Sequence, residues 1–259
     1  MIWPILKAPQ DPMLDPIPSP YVFDLDGGRA CLDFPNTLST SGDHLNTYAD
    51  LVAFASQSNL VTPDTADWLH TAALRAPTAA ESTLERAKTL REALRGIFMA
   101  LANHQRPADA DLNELNANLA ASLPHARLAL DETHDVYEWG WAGTDLNSPL
   151  WSIVRSAADV LTSEQERPLV RECGAGDCSW LFMDSTKNRS RQWCSMTSCG
   201  NREKARRHYQ RVKAQRTADG AGAQADAAPR AQARGRRTAA APSADASRVR
   251  VSHLPPSDP

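Results

Sequence analysis

Residues 173–199, CGAGDCSWLFMDSTKNRSRQWCSMTSC, largely determine how this chain can fold. They hold four of the five cysteines of the 259-residue chain, as two pairs with the pattern C-x4-C-x15-C-x4-C. We expect no export signal, because prolines interrupt the apolar residues at the start of the sequence. Disulfides are rare in proteins that remain in the cytoplasm, so clustered pairs of thiols indicate a metal site.

Four thiolates can surround one tetrahedral Zn²⁺ at a distance of ~2.3 Å. The predicted ligands are Cys173, Cys178, Cys194 and Cys199. Because protein ligands fill all four positions, we expect one structural zinc, with no open position for water or substrate. The alternatives are cysteines that bind no metal and a redox-active pair. His208 is an alternative ligand, although packing beside Ala205 and Val212 is the stronger expectation.

The residues between and after the cysteine pairs predict a small finger. Residues 179–193 have the length of two strands and a turn, with the turn at 184–188 and with Trp180 and Phe182 covering the metal. After Cys199, the segment GNREKARRHYQRVK is rich in residues that favour a helix. A hairpin followed by a helix that carries the last ligand predicts a treble-clef or ribbon-like zinc finger.

Positive charge is concentrated in the second part of the chain. Residues 1–166 hold 23 acidic and 10 basic residues, whereas residues 167–259 hold 8 acidic and 18 basic ones. Such charge beside a rigid zinc module is typical of a protein that binds the phosphate backbone of nucleic acid. The alternatives are that the basic helix is a solvated face or that it docks on the acidic part of its own chain. The predicted nucleic-acid contacts are Lys187, Arg189, Arg191, Arg202, Lys204, Arg206, Arg207, Arg211 and Lys213.

The first part of the chain is predicted to be an α+β domain. Apolar residues at steps of three and four predict helices over 45–57, 62–74, 79–104, 112–119 and 148–161. We expect Thr78 and Glu81 to form a capping box. Residues 21–38 predict a short strand, a turn at Gly27–Gly28 and a second apolar segment that Pro35 ends. Residues 127–130 and 135–141 predict a β-hairpin.

These patterns divide the chain into four parts. They are a flexible proline-rich head over 1–20, the mainly helical α+β domain over 21–165, the zinc finger over 166–214 and a tail over 215–259. The tail is rich in alanine and arginine and has few apolar residues to bury, so we expect it to be disordered. No apolar stretch has the ~20 residues that a membrane span requires.

Three polar residues follow one another closely near an apolar segment of the first domain. They could anchor a small ligand in a sensor pocket, but capping a turn and the following helix is the stronger expectation. These residues are Asp33, Asn36 and Thr37.

The remaining candidates in the first domain favour structural roles. Tyr137, Trp139 and Trp141 could line a pocket, although core packing is the stronger expectation. Cys31 lies among apolar residues and is expected to be a buried small hydrophobe rather than a nucleophile. There is no convincing Ser/His/Asp arrangement, no glycine-rich phosphate loop and no HExxH pattern, so we expect no enzyme activity.

The segment WCSMTSCGNREKARRH, with Cys199-Gly200-Asn201-Arg202, resembles the CGNR zinc-finger domain. The upstream CSWLFMDSTKNRSRQWC is similar to the same domain. The segments GGRACLDFPNTL, YADLVAFASQSNLV and LREALRGIF are similar to the ABATE domain, which usually precedes that finger. The resemblance covers about 21–212.

This resemblance implies a stress-responsive transcriptional regulator of bacteria. Because no export signal is expected, the predicted location is the cytoplasm. The implied partner is duplex DNA, and the first domain would sense a small-molecule effector or form a homodimer. No membrane is implied. The alternative is a module that uses the basic finger to bind RNA or an acidic protein partner.

Overall fold

Helices make up most of the structure. The computed structural model describes residues 21–131 and 135–225, and within them the side chains of 21–130 and 135–216. The helices are α1 Ala30–Asn36, α2 Tyr48–Gln57, α3 Pro63–Arg75, α4 Pro77–Ala102, α5 Asp109–Ser122, α6 Ser148–Thr162 and α7 Asn201–Ala225. Three antiparallel pairs of strands accompany them: β1 Leu38–Ser39 with β2 Gly42–Asp43, β3 Ala126–Asp131 with β4 Val136–Trp141, and β5 Val170–Glu172 with β6 Leu181–Met183. This is the predicted mainly helical class with small sheets.

The core forms around helix α1, which packs against α4, α6 and β6. In α1, Cys31, Leu32 and Phe34 have no exposed surface. Helix α4 buries Leu84, Leu90, Leu94 and Ile97 on the face that the spacing of its apolar residues predicts. Each such side chain contributes about 2 kcal/mol when it leaves water, so this helix anchors the domain.

Most predicted elements are found close to their predicted bounds. Helix α2 begins at Tyr48 because the Thr47 side chain accepts the N–H of Asp50 while the Asp50 carboxylate accepts that of Thr47, forming a capping box. Helix α3 begins at Pro63, at the first helical position, where the lack of an N–H costs nothing. The predicted hairpin is present as β3 and β4, and the helix predicted from Ser148 is α6.

Three local predictions for this domain are wrong. The short strand predicted at the start of 21–38 is absent, because residues 21–25 have no regular secondary structure. The second apolar segment of 21–38 is helix α1, and Pro35 lies inside it rather than ending it. Six of its seven residues are buried, so the sequence has no alternation of polar and apolar residues that would distinguish a short helix from a strand. The capping box at Thr78 is also absent, because α4 begins at Pro77, two residues before the predicted start at 79, and Ala76 is its N-cap.

Strand β6 joins the finger to the helical core. Leu181 and Met183 belong to the main core, whereas Phe182 belongs to a second core with the cysteines, as the alternation of side chains along a strand requires. The strands that pair are β5 and β6, which flank the first cysteine pair. The prediction of two strands between the cysteine pairs is therefore wrong, since only β6 lies there and its partner precedes Cys173.

The described residues up to Tyr209 belong to one compact unit, and those from Gln210 onward belong to a second. Helix α7 continues to Ala225, so the first residues of the predicted disordered tail are helical. The predicted head, 1–20, and the remainder of the tail, 226–259, lie outside the described residues. Within the described residues, we find no helix of the length and apolar character that crossing a membrane would require.

Candidate metal centre and nucleic-acid interface

The four predicted ligands come together in one cluster. The sulfur atoms of Cys173, Cys178, Cys194 and Cys199 all lie within 4.8 Å of one another, and none forms a disulfide. Cys194 Sγ is 3.8 Å from Cys178 Sγ and 3.6 Å from Cys199 Sγ. Four sulfurs at ~2.3 Å from one tetrahedral ion would be separated by ~3.8 Å, so the spacing fits zinc. The cluster is a four-cysteine zinc-binding site.

Three segments bring the cysteines to this point. Cys173 follows β5 and Cys178 lies in the loop before β6, where the Cys173 N–H donates to the Trp180 carbonyl at 2.8 Å. The loop that precedes Cys194 is tied to the first pair, because the Gly174 N–H donates to the Gln192 carbonyl at 2.8 Å. Cys199 lies in the helical turn Met196–Gly200, which leads directly into α7 as the sequence predicts.

The surroundings of the sulfurs affect their thiolate forms in opposite directions. The hydrogen bond with Cys178 raises the pKa of Cys194, and burial raises the pKa of Cys199 to about 11. The hydrogen bond with the Cys194 thiol lowers the pKa of Cys178 to about 5. The backbone N–H of Cys194 donates to Cys173 Sγ at 3.4 Å, and the guanidinium of Arg202 donates to Cys199 Sγ at 3.2 Å. Donors of this kind around ligand atoms tune a metal site. Cys31, in contrast, is not part of the cluster. It is fully buried, as predicted, and burial raises the pKa of its thiol to about 12.

The predicted nucleic-acid contacts divide into two groups. The first group is five exposed side chains: Lys187, Arg189, Lys204, Arg211 and Lys213. Lys187 and Arg189 lie in the loop after β6, and the others lie on α7. The remaining four arginines contact the finger itself.

Arg191 is held by carbonyl oxygens. Its guanidinium donates to the carbonyls of Trp193 at 3.0 Å, Asp26 at 3.1 Å and Cys194, and it stacks 4.5 Å from the ring centre of Phe182. These hydrogen bonds occupy the guanidinium N–H groups of Arg191 that would otherwise donate to a phosphate. The structure therefore gives Arg191 a role in joining the basic loop, the second cysteine pair and the first domain.

The three arginines at the start of α7 also have partners in the finger. Arg202 pairs with Asp177 at 2.9 Å, and Arg206 pairs with Glu203 at 3.0 Å. Arg207 lies 5.8 Å from the ring centre of Trp193. Both ion pairs are thus with acids of the zinc-binding segment, rather than with the acidic residues of 1–166.

The buried face of α7 differs from the prediction. Ala205 and His208 are exposed, whereas Glu203 is only 7% exposed. The predicted packing of His208 is wrong, and its ring is not part of the cysteine cluster. A stripe of apolar residues could not identify this face, because α7 buries a carboxylate that pairs with Arg206.

The three polar residues proposed as anchors of a ligand are all in the interior. Asp33 accepts the Gly27 N–H at 2.7 Å, and Thr37 donates to the Phe34 carbonyl at 2.7 Å. The side-chain amide of Asn36 donates to the Leu181 carbonyl at 2.9 Å and accepts the Leu181 N–H at 2.8 Å. These contacts favour a structural role, as expected, but the prediction that the three residues cap the following helix is wrong, because Thr47 caps α2 and Asn36 bonds to β6. None of the three residues lines the cavities found in the structure.

Asp177 and Asp184 have roles that the sequence patterns did not indicate. Asp184 is fully buried, accepts the N–H groups of Thr186 at 3.0 Å and Arg191 at 3.0 Å, and thereby shapes the basic loop. These hydrogen bonds lower its pKa, outweighing the burial that raises it. The signal available was the Asp-x-Thr spacing, which is typical of a side chain that closes a turn.

Both parts of the chain match known protein families. Residues 170–212 match the CGNR zinc finger. Residues 28–164, more than half of the chain, match the ABATE family, which is described as "Putative stress-induced transcription regulator". No curated protein matches the chain. The chain belongs to the ABATE family of transcription regulators and carries a CGNR zinc finger after that domain.

Proposed function

We propose that the protein is a zinc-containing regulator of transcription that binds duplex DNA. In this proposal residues 166–214 form the DNA-binding finger and residues 21–165 form a domain that senses a stress signal or dimerises. The zinc is structural, and the protein acts in the cytoplasm without enzyme activity of its own. DNA, rather than another polyanion, is favoured by the family to which the chain belongs.

One observation carries the proposal. The exposed cations Lys187, Arg189 and Lys204 belong to the same small module as the closed four-cysteine centre. Rigid backbone holds them, because Asp184 closes the loop and the last ligand leads directly into α7. A fixed group of cations binds phosphates with release of counterions, so its affinity falls steeply with salt.

The experiment measures fluorescence anisotropy of a labelled random-sequence duplex as the zinc-loaded protein is added. We expect affinity to fall steeply between about 50 and 200 mM salt. The double variant Lys187→Glu/Arg189→Glu should bind about tenfold or more weakly, and its slope against salt should be shallower by about two.

The control is Arg75→Glu/Arg106→Glu, which makes the same change in net charge on exposed sites of the first domain. We expect near wild-type affinity from it. Equal losses in the two double variants would mean that only net charge matters, and an unchanged Lys187/Arg189 variant would contradict the proposed surface.

A second candidate function is binding of RNA or single strands. It is favoured by a cavity of about 480 Å³ beside the zinc centre, lined among others by Arg171, Trp193 and Arg207. An indole beside guanidinium groups can stack an unpaired base. Competition among duplex DNA, hairpin RNA and single-stranded DNA separates the two candidates, because stronger competition by an unpaired strand would favour the second.

A further inference from the structure

A cavity of about 460 Å³ lies in the first domain, away from the zinc centre. Its volume is within the range of small-molecule sites. Strand β4, helix α6 and the residues just before α1 and after α6 form its walls. Its lining includes Arg29, Trp139, Trp141, Ser152, Arg155 and Ser156.

The polar face of α6 forms the floor of this cavity. Ser152, Arg155, Ser156, Asp159 and Ser163 recur at steps of three and four, so they share one face of the helix and its extension. The opposite face buries Ile153, Val154, Ala157 and Val160 in the core. Because serine is small, the polar face is concave instead of filled.

Two tryptophans of β4 cover this floor. The Trp141 indole N–H donates to Ser152 Oγ at 2.8 Å, which fixes that ring. Trp139 is 50% exposed, and the Arg155 guanidinium lies 4.0 Å from its ring centre. Arg155 covers one face of the Trp139 ring, so the half-exposed remainder of that indole is the flat aromatic surface that a planar ring can pack against.

The guanidinium groups of this cavity retain unused donors. Arg155 donates only through Nε, to Asp159 at 2.8 Å, so its two terminal amino groups have no hydrogen-bond partner among the described residues. Arg29 donates through Nε and Nη2 to Glu166, and within the described part of the chain its Nη1 has no acceptor. Terminal guanidinium N–H groups suit a carboxylate, which accepts two parallel hydrogen bonds.

The charges of the cavity are balanced. Asp159 and Glu166 neutralise the two arginines, so the site as a whole does not attract a polyanion as the finger does. A ligand with one negative charge can bind an arginine that already pairs with Asp159 or Glu166, and the repulsion between the two carboxylates stays small. Aromatic walls, guanidinium donors and serine hydroxyls together match a planar aromatic ring that carries one carboxylate.

We propose that this cavity is a binding site for small aromatic carboxylates, with Arg155 as the residue that recognises the carboxylate and Trp139 as the wall that stacks on the ring. The first domain would then bind a ligand of defined chemistry. This proposal does not depend on the proposed DNA binding, because ligand binding is measured without nucleic acid.

The experiment is isothermal titration calorimetry of the full-length, zinc-loaded protein with 2-naphthoate and with benzoate. The neutral 2-naphthamide and the non-aromatic cyclohexanecarboxylate serve as comparison ligands. We expect at least one of the two aromatic carboxylates to bind. Each comparison ligand should bind with an affinity at least about tenfold lower. Absence of binding by both carboxylates up to millimolar concentrations, or equal binding of the amide, would overturn the proposal.

Matched variants locate the site. Arg155→Gln should weaken binding about tenfold, whereas Arg106→Gln, in which a similar pair with Asp109 is lost, should leave it unchanged. Trp139→Val should weaken binding, whereas Tyr137→Val, on the same face of the hairpin but outside the cavity, should not. Wild-type affinity in both Arg155→Gln and Trp139→Val would place the ligand elsewhere. Because Trp139 is half exposed, its variant tests the site even if Arg155→Gln fails to fold.

Discussion

At the scale of single residues, arginines of the same segment have different roles. Arg189 and Arg191 are separated by one residue, yet the first is exposed and the second is held by backbone carbonyls from three parts of the chain. The sequence could predict that both are basic residues near a zinc site. The sequence could not predict which of the two side chains would be bound to backbone carbonyls, because the acceptors of Arg191 include Asp26, a residue far away along the chain.

Arg202 tests the distinction between a positioning residue and a phosphate contact. It bridges Asp177 and the sulfur of Cys199, so its loss removes a donor from a ligand. We expect Arg202→Ala to release zinc to a chelator about tenfold faster, with partial rescue by Arg202→Lys. Arg211→Ala, an exposed site on the same helix, is the control. Zinc release at the wild-type rate in Arg202→Ala would leave Arg202 with no role at the metal.

Asp33 makes the stability of the fold depend on pH. Burial raises its pKa to about 7, so the folded chain retains a proton that the unfolded chain loses near pH 4. Stability from this group is therefore greatest at low pH and is lost as pH rises towards about 7. Between pH ~5.5 and ~8, the loss is on the order of 2 kcal/mol.

We expect Asp33→Asn to abolish this dependence while keeping an acceptor for the Gly27 N–H. The measurement is urea unfolding of wild type and variant, both loaded with zinc, across that pH range. The variant should gain stability relative to wild type as pH rises. A constant difference between the two would show that Asp33 titrates as an exposed carboxyl does.

At the scale of elements, helix α1 and strand β6 connect the first domain to the finger. Asn36 at the end of α1 makes the two hydrogen bonds that a neighbouring strand would make to Leu181. The adjacent Phe182 then packs among the cysteines. The metal centre is thus supported by a helix that lies more than a hundred residues earlier in the chain.

Asn36→Ala tests that connection. The change leaves a buried N–H and a buried carbonyl of Leu181 without these partners, at a cost of about 2–4 kcal/mol. We expect a lower midpoint of thermal unfolding and faster hydrogen exchange at β6. Asn116→Ala, at an exposed position of α5, should change neither. Protection of β6 equal to wild type would show that the finger is independent of α1.

The elements also show what sequence reasoning could predict. Helices with one apolar face, such as α4 and α6, and the cysteine cluster follow from local spacing. Helix α1 was missed because nearly all of its residues are buried. The pairing of β5 with β6 was missed because it skips the first cysteine pair. The hairpin β3–β4 was predicted, but Tyr137 and Trp139 were expected in the core and are 74% and 50% exposed. Which face of a hairpin is covered depends on elements that the hairpin sequence does not contain.

At the scale of the whole molecule, acidic and basic residues are separated along the chain, and the metal centre lies in the basic part. The ion pairs of Arg202 and Arg206 stay within the zinc-binding segment. The exposed side chains of Lys187, Arg189 and Lys204 extend from the same segment into solvent, where a polyanion can reach them. The proposed function requires that zinc both folds this segment and enables it to bind DNA.

The most direct test is to titrate zinc into the metal-free protein while recording bound metal and affinity for a duplex in parallel. We expect DNA binding to appear as zinc reaches one ion per chain, and to be absent in Cys194→Ser at the same zinc concentration. Full DNA affinity in the metal-free chain, or one tightly bound zinc with no affinity for DNA, would contradict the proposal that a zinc-folded basic finger binds nucleic acid.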